Sequence, residues 1–276
     1  MPSRREVYIL SKWEKQRVLA EDPKVSRYSP ETCLFDWGQL SDYLAKYEAV
    51  YIKPVVGAGG RGIMRVSKLE QGGYLLQAGC QRKQMKSWER LRSKLDKRIE
   101  NKSSYMLQQG IDVLTVDGKP VDFRLLLLKS KDKWKYMGVM GKQAAKDKMV
   151  TNHIQGGKAL TLRQSLKKSG MGKIVKDQQM EKDMRKLAKH TSAAISEHYP
   201  HVRELGLDVA MDKQGKLWVL EANTKPAFKL FRHHPDSTLH PRISEKVRLI
   251  RSRYTFWGSR LQRRRRWSGR LRFSRR

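Results

Sequence analysis

The sequence predicts an α+β protein whose strands pair mainly antiparallel. Three observations point there. "GLDVAMDKQGKLWVLEANTKP", residues 206–226, holds two runs of alternating character around a Lys-Gln-Gly turn, the pattern of a hairpin. "SYMLQQGIDVLTVDGKPVDFRLLLLK" reads as a strand, a turn at Asp117-Gly118 and a strongly apolar strand. Between such runs lie helical periods, as over residues 181–198, where Met184, Leu187, Ala188 and Ile195 share one side.

From the N-terminus, "SKWEKQRVLAED" suits a first helix with Ser11 as N-cap, and "SPETCLF" an extended segment. "DWGQLSDYLAKY" suits a second helix. "AVYIKPVV" is a short buried strand, followed by a glycine-rich loop and the strand "GIMRVSKL". Residues 83–102 are charged and helix-friendly, and "WKYMGVMGKQA" is a further strand. No internal repeat is present. At 276 residues and 32.2 kDa the chain can form one large domain or two lobes sharing a cleft.

Charge narrows the partners. Lys plus Arg total 60 against 27 Asp plus Glu, a formal net charge of +33, which attracts polyanions without naming one. Two cysteines, Cys33 and Cys80, cannot build a disulfide framework, so a reducing compartment is expected. The first residues lack a secretory apolar core and no apolar run approaches the ~20 residues that span a bilayer. A cytoplasmic protein without a transmembrane segment follows. Residues 251–276 carry eleven arginines and no acid, interleaved with Tyr254, Trp257, Trp267 and Phe273. Such a block is either a solvated tail or a contact for nucleic acid or another polyanion.

Four stretches could carry chemistry. Lys53 ends a strand four residues before Gly57-Ala58-Gly59-Gly60-Arg61-Gly62. Glycines let backbone N–H groups close around an anion, although alone such a loop is first read as a plain glycine turn between strands. Asp122 and Arg124, two apart on a strand, point to one face as a structural ion pair or as an arginine held toward a cleft. Lys142 lies on the next strand, and Asn152 beside His153 forms either an Asx-type turn or a phosphate contact.

The fourth stretch is the hairpin of residues 206–226. With Lys213 to Lys216 as its loop, Asp212 faces Leu217, Asp208 falls opposite Glu221, and Asn223 lies on the same face. Leu205, Leu207, Val209 and Met211 then share the core face with Trp218, Leu220 and Ala222. Two facing carboxylates repel by about 3–4 kcal/mol at an effective dielectric near 20. A hard divalent cation would turn that repulsion into binding, whereas solvent on an exposed face would merely screen it.

Taken together and in order, "SKWEKQRVL", "SPETCLF", "VYIKPVVGAGGRGIMRV", "MLQQGI", "VDFRLLL", "TNHIQGG" and the hairpin resemble the ATP-grasp superfamily, in particular the YheC/YheD-like, endospore coat-associated family. The resemblance spans residues 11–230 and implies two lobes with mainly antiparallel sheets gripping nucleotide in the cleft. It implies residues 1–104 as the part with the glycine-rich lid and 105–235 as the C-terminal lobe with the metal site; the basic tail, 236–276, has no place in the family's motif set. Its cofactors would be ATP and Mg2+. Lys53 would contact the α- and β-phosphates, and Gly57, Ala58, Gly59, Gly60, Arg61 and Gly62 would cover the β- and γ-phosphates. Gln108 and Gln109 would lie at the hinge near adenine, Asn152 near phosphate, and Arg124 and Lys142 at the transferring phosphoryl group. Asp208, Glu221 and Asn223 would hold magnesium.

The activity so implied is ATP-dependent ligation of a carboxylate to an amine or thiol through an acyl-phosphate, with both substrates unspecified. The competing expectation is a non-catalytic nucleotide-binding or spore-coat protein, so location extends to the spore.

Overall fold

The computed structural model describes residues 8–99, 104–145 and 157–252. It contains two antiparallel sheets. Strands β1 (Thr32–Leu34), β2 (Ala49–Pro54), β3 (Met64–Lys68), β4 (Tyr74–Ala78), β5 (Gln81–Met85) and β6 (Tyr105–Gln109) form the first, in the order β1-β6-β2-β3-β4-β5. Strands β8 (Lys119–Ser130), β9 (Lys133–Gln143), β10 (Lys158–Leu160), β11 (Glu204–Met211) and β12 (Leu217–Asn223) form the second, in the order β10-β9-β8-β11-β12. The short β7 (Thr115–Val116) turns into β8 through Asp117 and Gly118, both at positive φ, as the Asp-Gly pair requires.

Helices cover each sheet. Helices α2 (Trp37–Lys46) and α3 (Trp88–Asp96), capped by Asp36 and Ser87, bury Leu40, Leu44, Leu91 and Leu95 on one face of the first sheet. On the second sheet, α1 (Lys12–Glu21), α4 (Leu162–Lys168) and α5 (Asp177–His198) enclose the largest core with Phe123, Leu125, Leu207 and Val209. Ser11 caps α1 by accepting from Glu14 N–H, and Thr161 and Gln164 form a reciprocal capping box on α4.

The opposite face of the second sheet is divided. Its apolar end, with Leu126, Leu128, Met137 and Met140, is covered by Leu230, Phe231, Leu239, Ile243 and Val247. The last three belong to helix α6, residues 239–252. A half-buried ion pair anchors α6, because Arg251 donates to both oxygens of the buried Glu204 at 2.8 and 2.7 Å. The polar end keeps Asp122, Arg124, Lys142 and Asp208 together, and the first sheet approaches it.

Several expected boundaries shift. Strand β6 pairs with β1 and β2, so residues 105–109 belong to the first sheet rather than to the lobe expected from residue 105. Helix α1 packs on the second sheet although it precedes the first. The stretch 83–102 is not wholly helical: residues up to Met85 form β5, and α3 starts only after Ser87. Residues 236–252 are not tail, since α6 buries an apolar stripe; the rest of the arginine-rich stretch, 253–276, lies outside the described residues, as does Asn152.

The hairpin is re-phased. Met211, not Asp212, pairs with Leu217, and Val209 pairs with Val219, yet Asp208 still pairs with Glu221 because a bulge at Leu220 restores the register. Asp212 instead organises the turn, accepting from Gln214 N, Lys216 N and Trp218 Nε1. Consequently Leu217, Val219 and Ala222 enter the core, and Trp218 and Leu220, expected there, do not. Gly206, opposite Asn223, has a close neighbour: a Cβ there would lie 2.5 Å from Pro226 Cβ and 3.3 Å from Arg124 Cδ. Gly206→Ala is therefore expected to cost about 1–3 kcal/mol by overpacking, read as a lower thermal midpoint.

Candidate functional site

The site lies where the polar end of the second sheet meets the first. Four strands of the second sheet supply its centre. Asp208 on β11 stands opposite Glu221 on β12 and opposite Arg124 on β8, so the three side chains share one face. Arg124 grips Asp208 with two parallel bonds, Nε to Oδ1 at 2.8 Å and Nη2 to Oδ2 at 3.0 Å, and gives a third to Ala227 O at 3.1 Å. Lys142 on β9 reaches Asp208 Oδ1 at 2.7 Å and Asp122 Oδ1 at 3.0 Å. Asn223 Nδ2 lies 3.4 Å from Asp208 Oδ2.

Burial alone would raise the Asp208 carboxyl, but Arg124 and Lys142 outweigh it and hold it well below the usual carboxylate range. Arg124 is pushed the other way: burial lowers it, and the carboxylates of Asp208, Asp122 and Glu221 more than compensate.

The first sheet and α1 add cations. Lys53 on β2 donates to Gln108 Oε1 on β6. Gln108 is buried, and its amide bridges the two sheets by reaching Leu220 O at 3.4 Å and Thr32 Oγ1 at 3.3 Å. Lys12 on α1 donates to Gly57 O of the glycine-rich loop and lies 3.6 Å from Glu221 Oε1. The loop therefore sits beside the carboxylate pair. Its glycines are conformationally required: Gly62 has φ 74° and a Cβ there would stand 2.8 Å from Pro54 Cγ. Ala58, Gly59, Gly60 and Arg61 complete the loop, with Arg61 exposed. Gln109 does not join the centre, because adjacent strand residues face opposite ways; its Oε1 accepts from Glu31 N at 3.2 Å.

Lys12, Lys53, Arg124 and Lys142 face three carboxylates, Asp122, Asp208 and Glu221, so the centre carries a cationic surplus. Burial pushes the Lys53 amine down to about 8, with Glu221 opposing the shift. Lys15, whose Nζ donates to Ile9 O at 3.0 Å, is lowered to about 8 by the same cause. Between pH 8 and 10.5 each of these lysines binds fewer protons folded than unfolded, so each adds stability as pH rises through that window. Anion affinity has the opposite sign, since Lys53 loses its charge there. Affinity for an anionic ligand held by Lys53 is expected to fall by up to about tenfold per pH unit above 8, and Lys53→Arg to flatten that slope, as titration calorimetry at several pH values would read.

A family model described as YheC/D like ATP-grasp matches residues 6–248. The chain belongs to that family. It is 30% identical over 252 residues to endospore coat-associated protein YheD of Bacillus subtilis (strain 168), covering 85% of this chain and 53% of that protein. It is 27% identical over 225 residues to endospore coat-associated protein YheC of the same organism, covering 79% of this chain and 60% of that protein. The chain thus spans between half and three-fifths of the length of these relatives. The structure resembles that of D-cycloserine synthetase DcsG, with TM-score 0.54 and 17% identity over 89% of this chain and 71% of the other, a likeness of fold. Two antiparallel lobes with a cleft between them are thus the ATP-grasp fold.

In this ATP-grasp chain, sequence reading overlooked Lys12 and Lys15. Both sit on α1, read only as a helix capped by Ser11, and nothing local distinguishes them from solvated lysines. A signal was present in their spacing: two lysines three apart lie on one helix face, here the buried one. No described helix is long and apolar enough to cross a membrane.

Proposed function

We propose that the chain binds Mg-ATP in this cleft and acts as an ATP-dependent ligase joining a carboxylate to an amine or thiol. The observation that carries the reading is the cross-strand pair of Asp208 and Glu221, set beside the glycine-rich loop and among Lys12, Lys53, Arg124 and Lys142. Among the described residues no group of three or more His, Cys, Asp or Glu could hold a metal by itself. Two carboxylates plus the Asn223 carboxamide are instead the modest oxygen set that Mg2+ uses when phosphates and water complete its octahedron. The residues therefore fit the group.

Bound Mg-ATP would supply the phosphoryl group that converts a carboxylate into an acyl-phosphate, from which an amine or thiol displaces phosphate. In this reading Asp208, Glu221 and Asn223 hold the metal. Lys53 and the loop from Gly57 to Gly62 bind the phosphate chain, and Gln108 fixes the Lys53 ammonium. Arg124 and Lys142, positioned by Asp208 and Asp122, orient and neutralise the transferring group without reorganisation.

A second reading is favoured by the names of the relatives: a coat-associated protein that keeps the nucleotide cleft without turnover. Thermal unfolding with ATP, with and without Mg2+, tests the shared part. Saturating nucleotide at about 100 times its Kd should add about 2.7 kcal/mol, and most of that gain should need Mg2+. No stabilisation would reject both readings. ADP release across a panel of carboxylates and amines separates them, since the coat reading predicts none.

A further inference from the structure

We propose that the outer edge of the first sheet, where β5 runs beside α3, is a docking site for an acidic, extended peptide segment of a partner protein. Strand β5 pairs only with β4 among the described residues, which leaves its other edge open for main-chain bonding. A groove of about 330 Å³ lies along it, lined by Arg82 and Lys83 of β5, Lys94 and Arg98 at the end of α3, and Gln81, over a floor of Leu76 and Ala78.

Three cationic side chains, Lys83, Lys94 and Arg98, and no acid face this groove. Several exposed cations elsewhere have acidic partners, as in Lys46–Glu31, Arg203–Asp132, Lys213–Asp112 and Arg242–Asp236. Here Arg98 donates to Gln81 Oε1 at 3.1 Å, a neutral partner, and no ion pair involves Arg82, Lys83 or Lys94 among the described residues. Arg82 and Lys83 of the edge strand are exposed, whereas Lys94 on α3 is half-buried over the apolar floor, where cations converging on it repel and an anionic side chain relieves them.

The open edge selects the class of anion. Lys83 pairs with Leu76 and Gln81 with Ala78, so these two point to the groove, while Arg82, opposite Gln77, points to the other face. An added strand would repeat this alternation. Carboxylates at alternate positions would meet Lys83, Lys94 and Arg98, while the backbone bonds to β5. A nucleic acid could answer the charges but not the row of N–H and C=O groups.

Fluorescence anisotropy with a labelled peptide of alternating glutamate and valine tests this on the full chain. The peptide should bind, more weakly at high salt. Lys83→Glu with Lys94→Glu should weaken it by at least about tenfold, because attractive contacts become repulsive. The same peptide N-methylated at alternate residues should lose binding comparably. Unaltered thermal unfolding would show that the variant folds; should it not, Lys83→Ala alone is expected to weaken binding by a smaller factor. Lys182→Glu with Lys186→Glu, on the exposed face of α5, should change little. No binding by the unaltered chain, an equal loss in the α5 variant, full binding of the N-methylated peptide, or an oligothymidylate of equal charge binding as tightly and competing for the groove would each overturn the proposal.

Discussion

Replacing Asp208 by alanine is expected to destabilise the fold by about 3–5 kcal/mol, the loss typical when one partner of a buried ion pair is removed. The carboxylate is 14% exposed and receives two bonds from Arg124 and one from Lys142, which are themselves 12% and 8% exposed. Without it, two desolvated cations face each other and share only Asp122. At roughly 2–4 °C per kcal/mol for a domain of this size, the thermal midpoint should fall by about 10 °C. Arg124→Leu combined with Asp208→Ala should be less damaging than the two single changes summed, because the second removes the charge that the first strands.

The pH dependence has a definite sign. A carboxyl held below its unfolded value contributes stability that is complete above about pH 4 and fades as pH falls through its lower folded value. Unaltered chain and Asp208→Ala should therefore converge in stability on acidification. A gap that stayed constant from neutral pH to the acid limit would mean that the carboxylate charge is irrelevant to the cluster.

Glu221→Gln has the largest expected effect on nucleotide binding. Glu221 is 27% exposed and its ion-pair neighbour among the described residues, Lys12, stands 3.6 Å away, so losing its charge should leave the fold within about 1 kcal/mol of the original. The amide keeps the shape but gives up half of the carboxylate pair that would hold the metal. Most of the Mg2+-dependent stabilisation by ATP, and at least about 100-fold of any turnover, should vanish, in line with the loss of a metal-site group. Calorimetry and ADP release would measure the two effects separately. If Mg2+-dependent stabilisation persists in Glu221→Gln, the metal assignment is wrong even if ATP binds.

Much of this centre was legible in the chain because it depends on local chemistry. Alternation over residues 205–223 puts Asp208 and Glu221 on one face, Asp117-Gly118 forces a turn, and Ser11 announces a helix start through its side-chain oxygen. The hairpin shows the limit of such reading. The pairing of Asp208 with Glu221 was expected from a loop register that the structure does not adopt, and the bulge at Leu220 brings the two back into line. A bulge carries no composition of its own here, since Leu220 fits the core as well as Val219 does.

The sequence by itself determined the strand and helix periods, the turns and caps, the cationic surplus, and which oxygen-bearing residues share a strand face. Each of these follows from side chains within a few residues of one another. Only the tertiary structure decided that α1 brings Lys12 and Lys15 to the cleft, that β6 completes the first sheet, that β4 and β5 extend it to an open cationic edge, and that α6 seals the apolar half of the second sheet. Those outcomes depend on burying apolar faces contributed by segments far apart in the chain, up to 215 residues for the bond between Ile9 N and Thr224 Oγ1. Hydrophobic burial is non-directional, so which faces meet is settled by packing the whole molecule and not by any one stretch of it.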